Sequence, residues 1–242
     1  MTVLSKAEMQ EKIDGIREKI RAAAARAGRS AADVALIGVS KFQPIEAIAL
    51  AVECGIEILG ENRVQERAEK REKCPGLTTW TGEPALWHMI GHLQRNKARK
   101  AVEVFDCIQS VDGIELAAAL DRIVAEQNRP PFPVMLEVNT SGEASKNGVP
   151  PDECFTLLER VLLDCKNLSV EGLMTIGPLS DDEREIRASF ALLRGLAEDA
   201  RTRFGVAMPH LSMGMSGDYE AAIEEGSTIV RIGTGIFGPR QI

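Results

Sequence analysis

An α/β fold, a single closed (β/α)8 barrel of the TIM type with an extra N-terminal helix, is what this sequence predicts. Three observations carry that reading. Eight short β-rich runs alternate with helical stretches, the pattern of parallel strands joined by crossover helices. No low-complexity linker divides them, and the chain ends ten residues after the last run, with no eighth helix expected behind it. An open doubly wound sheet also fits the alternation, but eight strands and a missing last helix favour closure. The 242 residues match a barrel of roughly 250, so residues 1–242 read as one domain, with residues 1–28 packed on it beside strand eight.

The extra helix is expected over 3–27, where Met9, Ile13, Ile16, Ile20 and Ala24 recur at helical spacing before Gly28. Strands are expected at 34–40, 56–60, 87–91, 106–111, 133–139, 168–176, 210–215 and 228–232. Between them the helical stretches are 45–54, 62–73, 96–103, 113–127, 151–165, 182–204 and 217–225.

Composition narrows the function. The chain is 44% hydrophobic and 27% charged with a net charge of −7, an ordinary globular balance without the basic surface of a nucleic-acid binder. The one basic run, RNKARK at 95–100, is short and lies between acidic neighbourhoods. Cysteines 54, 74, 107, 154 and 165 show no CxxC spacing, which suits free thiols in a reducing compartment. Glu8, Glu11, Asp14 and Glu18 rule out a transit peptide. The most apolar stretch, 45–59, contains Glu46, Glu53 and Glu57, so no membrane span is expected. A cytoplasmic location follows as the expectation.

In such a barrel the chemistry belongs at the C-terminal ends of the strands, and phosphate is commonly held after strands seven and eight. VALIGVSKFQP (34–44) runs a buried strand straight into Lys41. Closure sets strand one beside strand eight, so Lys41 faces the loops that follow it; the plainer reading is a lysine reaching into water from a strand end. LSMGMSGDYEAAIEEG (211–226) is a strand, a small-residue turn and a helix, with Ser216 placed as N-cap over unpaired backbone N–H groups. GTGIFG (233–238) fails as a dinucleotide fingerprint, which needs a helix and an acidic residue to follow; only four residues remain after Gly238. Its glycines instead let backbone N–H groups close on an oxyanion. Two donor-rich turns facing a lysine suggest a phosphorylated carbonyl compound held as a Schiff base.

The segments VSKFQP, GENRVQE, WHMIGHLQRNK, EVNTSGEASKNGV, GLMTIG and LSMGMSGDYEAAIEEGSTIVRIGTGIFG, in order over about 34–240, together resemble the pyridoxal-phosphate homeostasis protein family. That resemblance implies one barrel similar to the N-terminal domain of alanine racemase and pyridoxal 5′-phosphate (PLP) as cofactor. By the same resemblance Lys41 would carry PLP as a reversible Schiff base, and Ser212, Ser216, Gly233 and Thr234 fall in the phosphate-binding segments. Arg231 would face the pyridine nitrogen, and Asn62 would lie near the ring on its 3-hydroxyl side. The implied role is PLP (vitamin B6) and amino-acid homeostasis, with PLP-dependent apo-enzymes as recipients. The family usually has an aromatic residue at position 63 and proline at 92; here they are Arg63 and His92.

Arg231 sets what the cofactor can do. A guanidinium has only donors and stays charged, so it disfavours the protonated pyridine that makes the ring a strong electron sink. Racemases with this arginine add a tyrosine base with the help of another domain; here Tyr219 is the one tyrosine and no second domain is expected. No catalytic residue is assigned. A PLP-dependent amino-acid racemase is the alternative, and a Schiff-base aldolase the third reading.

Three further groups carry blander readings. His88 and His92, expected on one strand face, lack a third metal ligand, so no metal is assigned; His210 precedes strand seven with no evident partner. Lys146 reads as a solvated loop lysine, or as a transient PLP acceptor, with Lys97 a weaker counterpart. A monomer is expected.

Overall fold

In the computed structural model, which describes residues 4–79 and 81–239, all eight strands are parallel and ordered β1 to β8 around a closed barrel. They are β1 (Ala35–Val39), β2 (Ile58–Glu61), β3 (Leu86–Met89), β4 (Cys107–Val111), β5 (Phe132–Glu137), β6 (Leu168–Met174), β7 (His210–Ser212) and β8 (Ile229–Ile232). The helices are α1 (Lys6–Arg26), α2 (Ile45–Glu53), α3 (Val64–Lys73), α4 (Ala98–Val104), α5 (Ile114–Glu126), α6 (Cys154–Asp164), α7 (Glu183–Phe204), α8 (Tyr219–Glu224) and α9 (Thr234–Phe237). The residue at which the first helix is expected to begin, 3, lies outside the described residues.

Closure is made by β1 pairing with β8, Ala35 opposite Ile229 through Gly38 opposite Ile232. A correction concerns the chain after β8. The expectation of no helix there fails, because Thr234–Phe237 form the short helix α9, begun at Gly233. α1 packs against α8, α9 and α2, and so lies along the closing seam. Its N-terminus is fixed by a capping box between Ser5 and Glu8. Arg26 binds Glu220 and Glu224 of α8, while Arg29 Nη1 donates to the carbonyls of Ile223 and Ser227.

Two apolar layers result from strand alternation. The larger lies between sheet and helices; a smaller cluster of Ile37, Val39, Ile90, Cys107, Met135, Met174 and Ile229 fills the barrel. The period of two then turns the residues beyond that cluster inward as well. Gln109 follows Cys107, Glu137 follows Met135 and Arg231 follows Ile229, each two positions on. The upper barrel is therefore polar, and all three side chains are buried.

The β6–β7 contact has no room for a side chain at Gly172, where an added Cβ would lie 1.9 Å from the His210 carbonyl oxygen. Gly172→Ala is expected to destabilise the protein by at least about 1–3 kcal/mol, the usual cost of overpacking a filled interior. Urea unfolding measures it, and an unchanged midpoint would mean the strands separate freely at this position.

Candidate functional site

Lys41 stands two residues past the end of β1, half-buried, in a turn closed by Gln43 N–H to the Ser40 carbonyl. The turn is strained, since Phe42 has a φ of 64°, a region that costs a non-glycine residue about 1–3 kcal/mol. A buried ionic network holds it. Lys70 Nζ, reaching in from α3, donates to the Ser40 carbonyl and to Glu66 Oε1, both at 2.7 Å, and also to Glu61 Oε1. Ser40 Oγ donates to Glu61 Oε1 at 2.7 Å, and Phe42 N–H to Glu66 Oε1 at 2.5 Å. The residues on both sides of Lys41 are thus tied to the same ammonium–carboxylate cluster. Burial pushes the Glu61 carboxyl up, while Lys70 opposes it.

Across the seam lie the two loop segments singled out in the sequence. Thr234 Oγ1 donates to Ser216 Oγ at 3.3 Å, both side chains exposed. A Cβ on Gly235 would come 2.8 Å from Ile232 and 3.9 Å from Ser216 Oγ, so the glycine lets the α9 turn close on the Ser216 turn. Gly233 adjoins Val39 of β1, its hypothetical Cβ 3.5 Å from that side chain. Ser216 is not the N-cap expected of it. Asp218 Oδ1 accepts from Met215 N–H at 2.6 Å, and the turn this forms delays the helix to Tyr219.

Arg231 and Ser212 lie deeper. Arg231 Nη1 donates to Ser212 Oγ and Nη2 to the Thr175 carbonyl, each at 2.7 Å. Ser212 Oγ in turn donates a hydrogen bond to Gln109 Oε1 at 2.6 Å, and Gln109 Nε2 meets His88 Nδ1 at 2.8 Å. Ser212 therefore helps to hold the arginine in place. Burial brings Arg231 down to about 10, partly offset by Glu137 and Asp218, and brings His88 down to about 4. Asn62 follows β2, and its Oδ1 is buried without a hydrogen-bond partner.

The histidines and Lys146 need correction. His88 belongs to β3, but His92 lies three residues beyond the strand and pairs with Asp112 at 3.1 Å. They share no strand face. His210 is the first residue of β7, not a residue ahead of it. Among the described residues no group of three or more His, Cys, Asp or Glu side chains could hold a metal. Lys146 is half-buried, not solvated: its Nζ donates to Glu143 Oε1 and the Gly177 carbonyl, both at 2.6 Å, joining the loops after β5 and β6. Lys97 is exposed at the end of a 3-10 turn.

Sequence reading missed Glu61, Glu66, Lys70, Gln109, Glu137 and Thr175. A signal existed for two pairs. Glu66 and Lys70 are spaced i,i+4 on a helix, and Gln109 and Glu137 interrupt apolar runs at inward positions of their strands.

A parallel barrel with a lysine after β1 and an arginine on β8 is a barrel of the alanine racemase N-terminal class, and the family model described as alanine racemase, N-terminal domain, matches residues 12–241. Curated relatives are more specific. The pyridoxal phosphate homeostasis protein of Aquifex aeolicus is 41% identical over 96% of this chain and 98% of its own length; that of Escherichia coli is 41% identical over 93% and 94%. This chain belongs to the pyridoxal phosphate homeostasis protein family. Among solved structures, PipY of Synechococcus elongatus with PLP bound superposes with a TM-score of 0.80 at 35% identity, covering 95% of this chain and all of that one. The alanine racemase of Clostridium difficile shares the fold, with a TM-score of 0.72 at 14% identity over 57% of its length.

Replacing Lys70 by methionine leaves Glu61, which has no solvent exposure, without its counter-charge. The expected cost is about 3–5 kcal/mol in urea unfolding at neutral pH. A carboxyl raised above its unfolded value binds its proton more readily when folded, so the deficit should shrink as the pH is lowered.

Proposed function

We propose that this protein binds PLP through Lys41, as a reversible Schiff base, and serves intracellular PLP and amino-acid homeostasis as a carrier without robust turnover. It acts in the cytoplasm, as a monomer, and supplies PLP-dependent apo-enzymes. The observation that carries the reading is the β1–β8 pairing, which brings the strand end that leads into Lys41 beside the strand end that leads into Thr234, itself bonded to Ser216.

The residues present fit the cofactor. Ser216, Thr234 and the Gly233 backbone would hold the phosphate, where two hydroxyls and a glycine-lined turn offer donors to an anion. Arg231 would meet the ring nitrogen, oriented by Ser212 and the Thr175 carbonyl. Asn62, with a buried Oδ1 that lacks a partner, would face the ring on its 3-hydroxyl side. When bound, PLP supplies an aldehyde that exchanges between amines. The relative from Synechococcus elongatus, described with PLP bound, supports PLP as the ligand.

The absence of strong catalysis is supported by Arg231 and Tyr219. A donor-only guanidinium favours an unprotonated ring nitrogen. Tyr219 is buried in the first turn of α8, and burial pushes its hydroxyl up, away from the form that abstracts protons.

Borohydride treatment of protein mixed with PLP should fix a pyridoxyl group on the peptide containing Lys41, read by mass spectrometry. Lys41→Ala should remove that adduct, and an unmodified Lys41 peptide in the wild type overturns the proposal. α-Proton exchange and chirality of several amino acids, followed over long incubations, should stay near background. Turnover at the level of an ordinary racemase would replace the carrier reading with an enzymatic one.

A further inference from the structure

Glu137 is a buried acid of the barrel interior. It ends β5, is 2% exposed, and its Oε2 is buried without a hydrogen-bond partner. Among the described residues its carboxyl joins no ion pair. Buried carboxyls are normally hydrogen-bonded or paired, because desolvation is costly. Arg231 is the cation that acts on this carboxyl, but its guanidinium bonds instead to Ser212 and the Thr175 carbonyl. A buried acid and a buried guanidinium thus share the upper barrel without closing on one another.

We propose that Glu137 is a ligand-binding residue of the PLP site that engages the cofactor in its neutral form, its O–H donating a hydrogen bond to the 3-oxygen on the pyridine ring while Arg231 serves the ring nitrogen. This rests on the PLP reading above and extends it to a residue that reading does not use. The charges around Glu137 support it. Asp112, in the loop after β4, raises its carboxyl and is itself paired with His92; Arg231 on β8 lowers it. Asp218, ahead of α8, acts on Arg231, and Lys146, from the loop after β5, acts on Asp218 while bound to Glu143. His88 on β3 is kept neutral by burial. Burial dominates and brings Glu137 to about 7, so near neutral pH the carboxyl is divided between its two forms. An entering phosphate and a phenolic oxygen add negative charge, which favours the protonated form further.

The consequence is proton-coupled binding. As pH rises through 7 the carboxyl ionises, the donor is lost and a like charge appears, so affinity falls. The test uses pyridoxine 5′-phosphate, which has no aldehyde, so that titration of Lys41 in imine formation does not enter. Its Kd is measured from pH 6 to 8 for the wild type and for Glu137→Gln, an uncharged isostere. The ratio of wild-type to variant Kd should rise about tenfold across that range, with ligand ionisation common to both proteins. Parallel profiles overturn the proposal while leaving the PLP site standing. Absence of binding to either protein at any pH also overturns the assignment of Glu137, and the borohydride test at Lys41 then decides separately whether the PLP reading stands. If the variant does not fold, difference infrared spectroscopy of the wild type at pH 8 decides: binding should bring up the C=O band of a protonated carboxyl, and its absence overturns the assignment.

Discussion

Everything at the mouth of this barrel depends on the pairing of β1 with β8. The register from Ala35–Ile229 to Gly38–Ile232 converts two ends of the sequence into neighbours. It sets the strand end that leads into Lys41 beside the strand end that leads into Thr234, with Gly233 against Val39. A parallel pair of this kind has no hairpin to fix it, so the register is held from outside. α1 does this work by packing along the seam against α2, α8 and α9, with Arg26 and Arg29 binding α8 and the residues just after it.

The site is built in two tiers with different physics. The outer tier, Ser216, Thr234 and Gly233, is open and offers hydroxyls and backbone to an anion. The inner tier runs from Thr175 through Arg231, Ser212 and Gln109 to His88, buried and continuously hydrogen-bonded. Such a chain fixes the rotamer of each member by the next, as satisfied buried networks do. Beside it, Lys70 anchors the strained turn at Phe42, so the lysine on the rim is presented by a cluster rather than by a flexible loop.

Much of this was legible in the sequence, and the reasons differ by element. Parallel strands buried on both faces read as apolar runs, which is why all eight were found within a few residues. α9 was missed because a four-residue helix in a glycine-rich segment has no periodicity to detect. Ser216 was misread as a cap because an Asp218 side chain closing on Met215 looks, in sequence, like the start of the helix itself. Lys41, Asn62, Arg231 and the phosphate turns were named through family resemblance joined to the position of strand ends. The Glu61–Lys70 pair and the Gln109–Ser212 bond escaped. The second joins residues 103 positions apart, and that proximity exists only once the barrel closes.

Cys107 belongs to the apolar cluster inside the barrel, and burial raises its thiol far above the usual range. Thiolates add to aldehydes readily, and the reactive form of cysteine is the anion. The low polarity of the barrel floor therefore silences its own sulfur nucleophile. Under the proposed function, an aldehyde would then meet nitrogen at the rim rather than sulfur in the core, and the packing that stabilises the fold would make that selection.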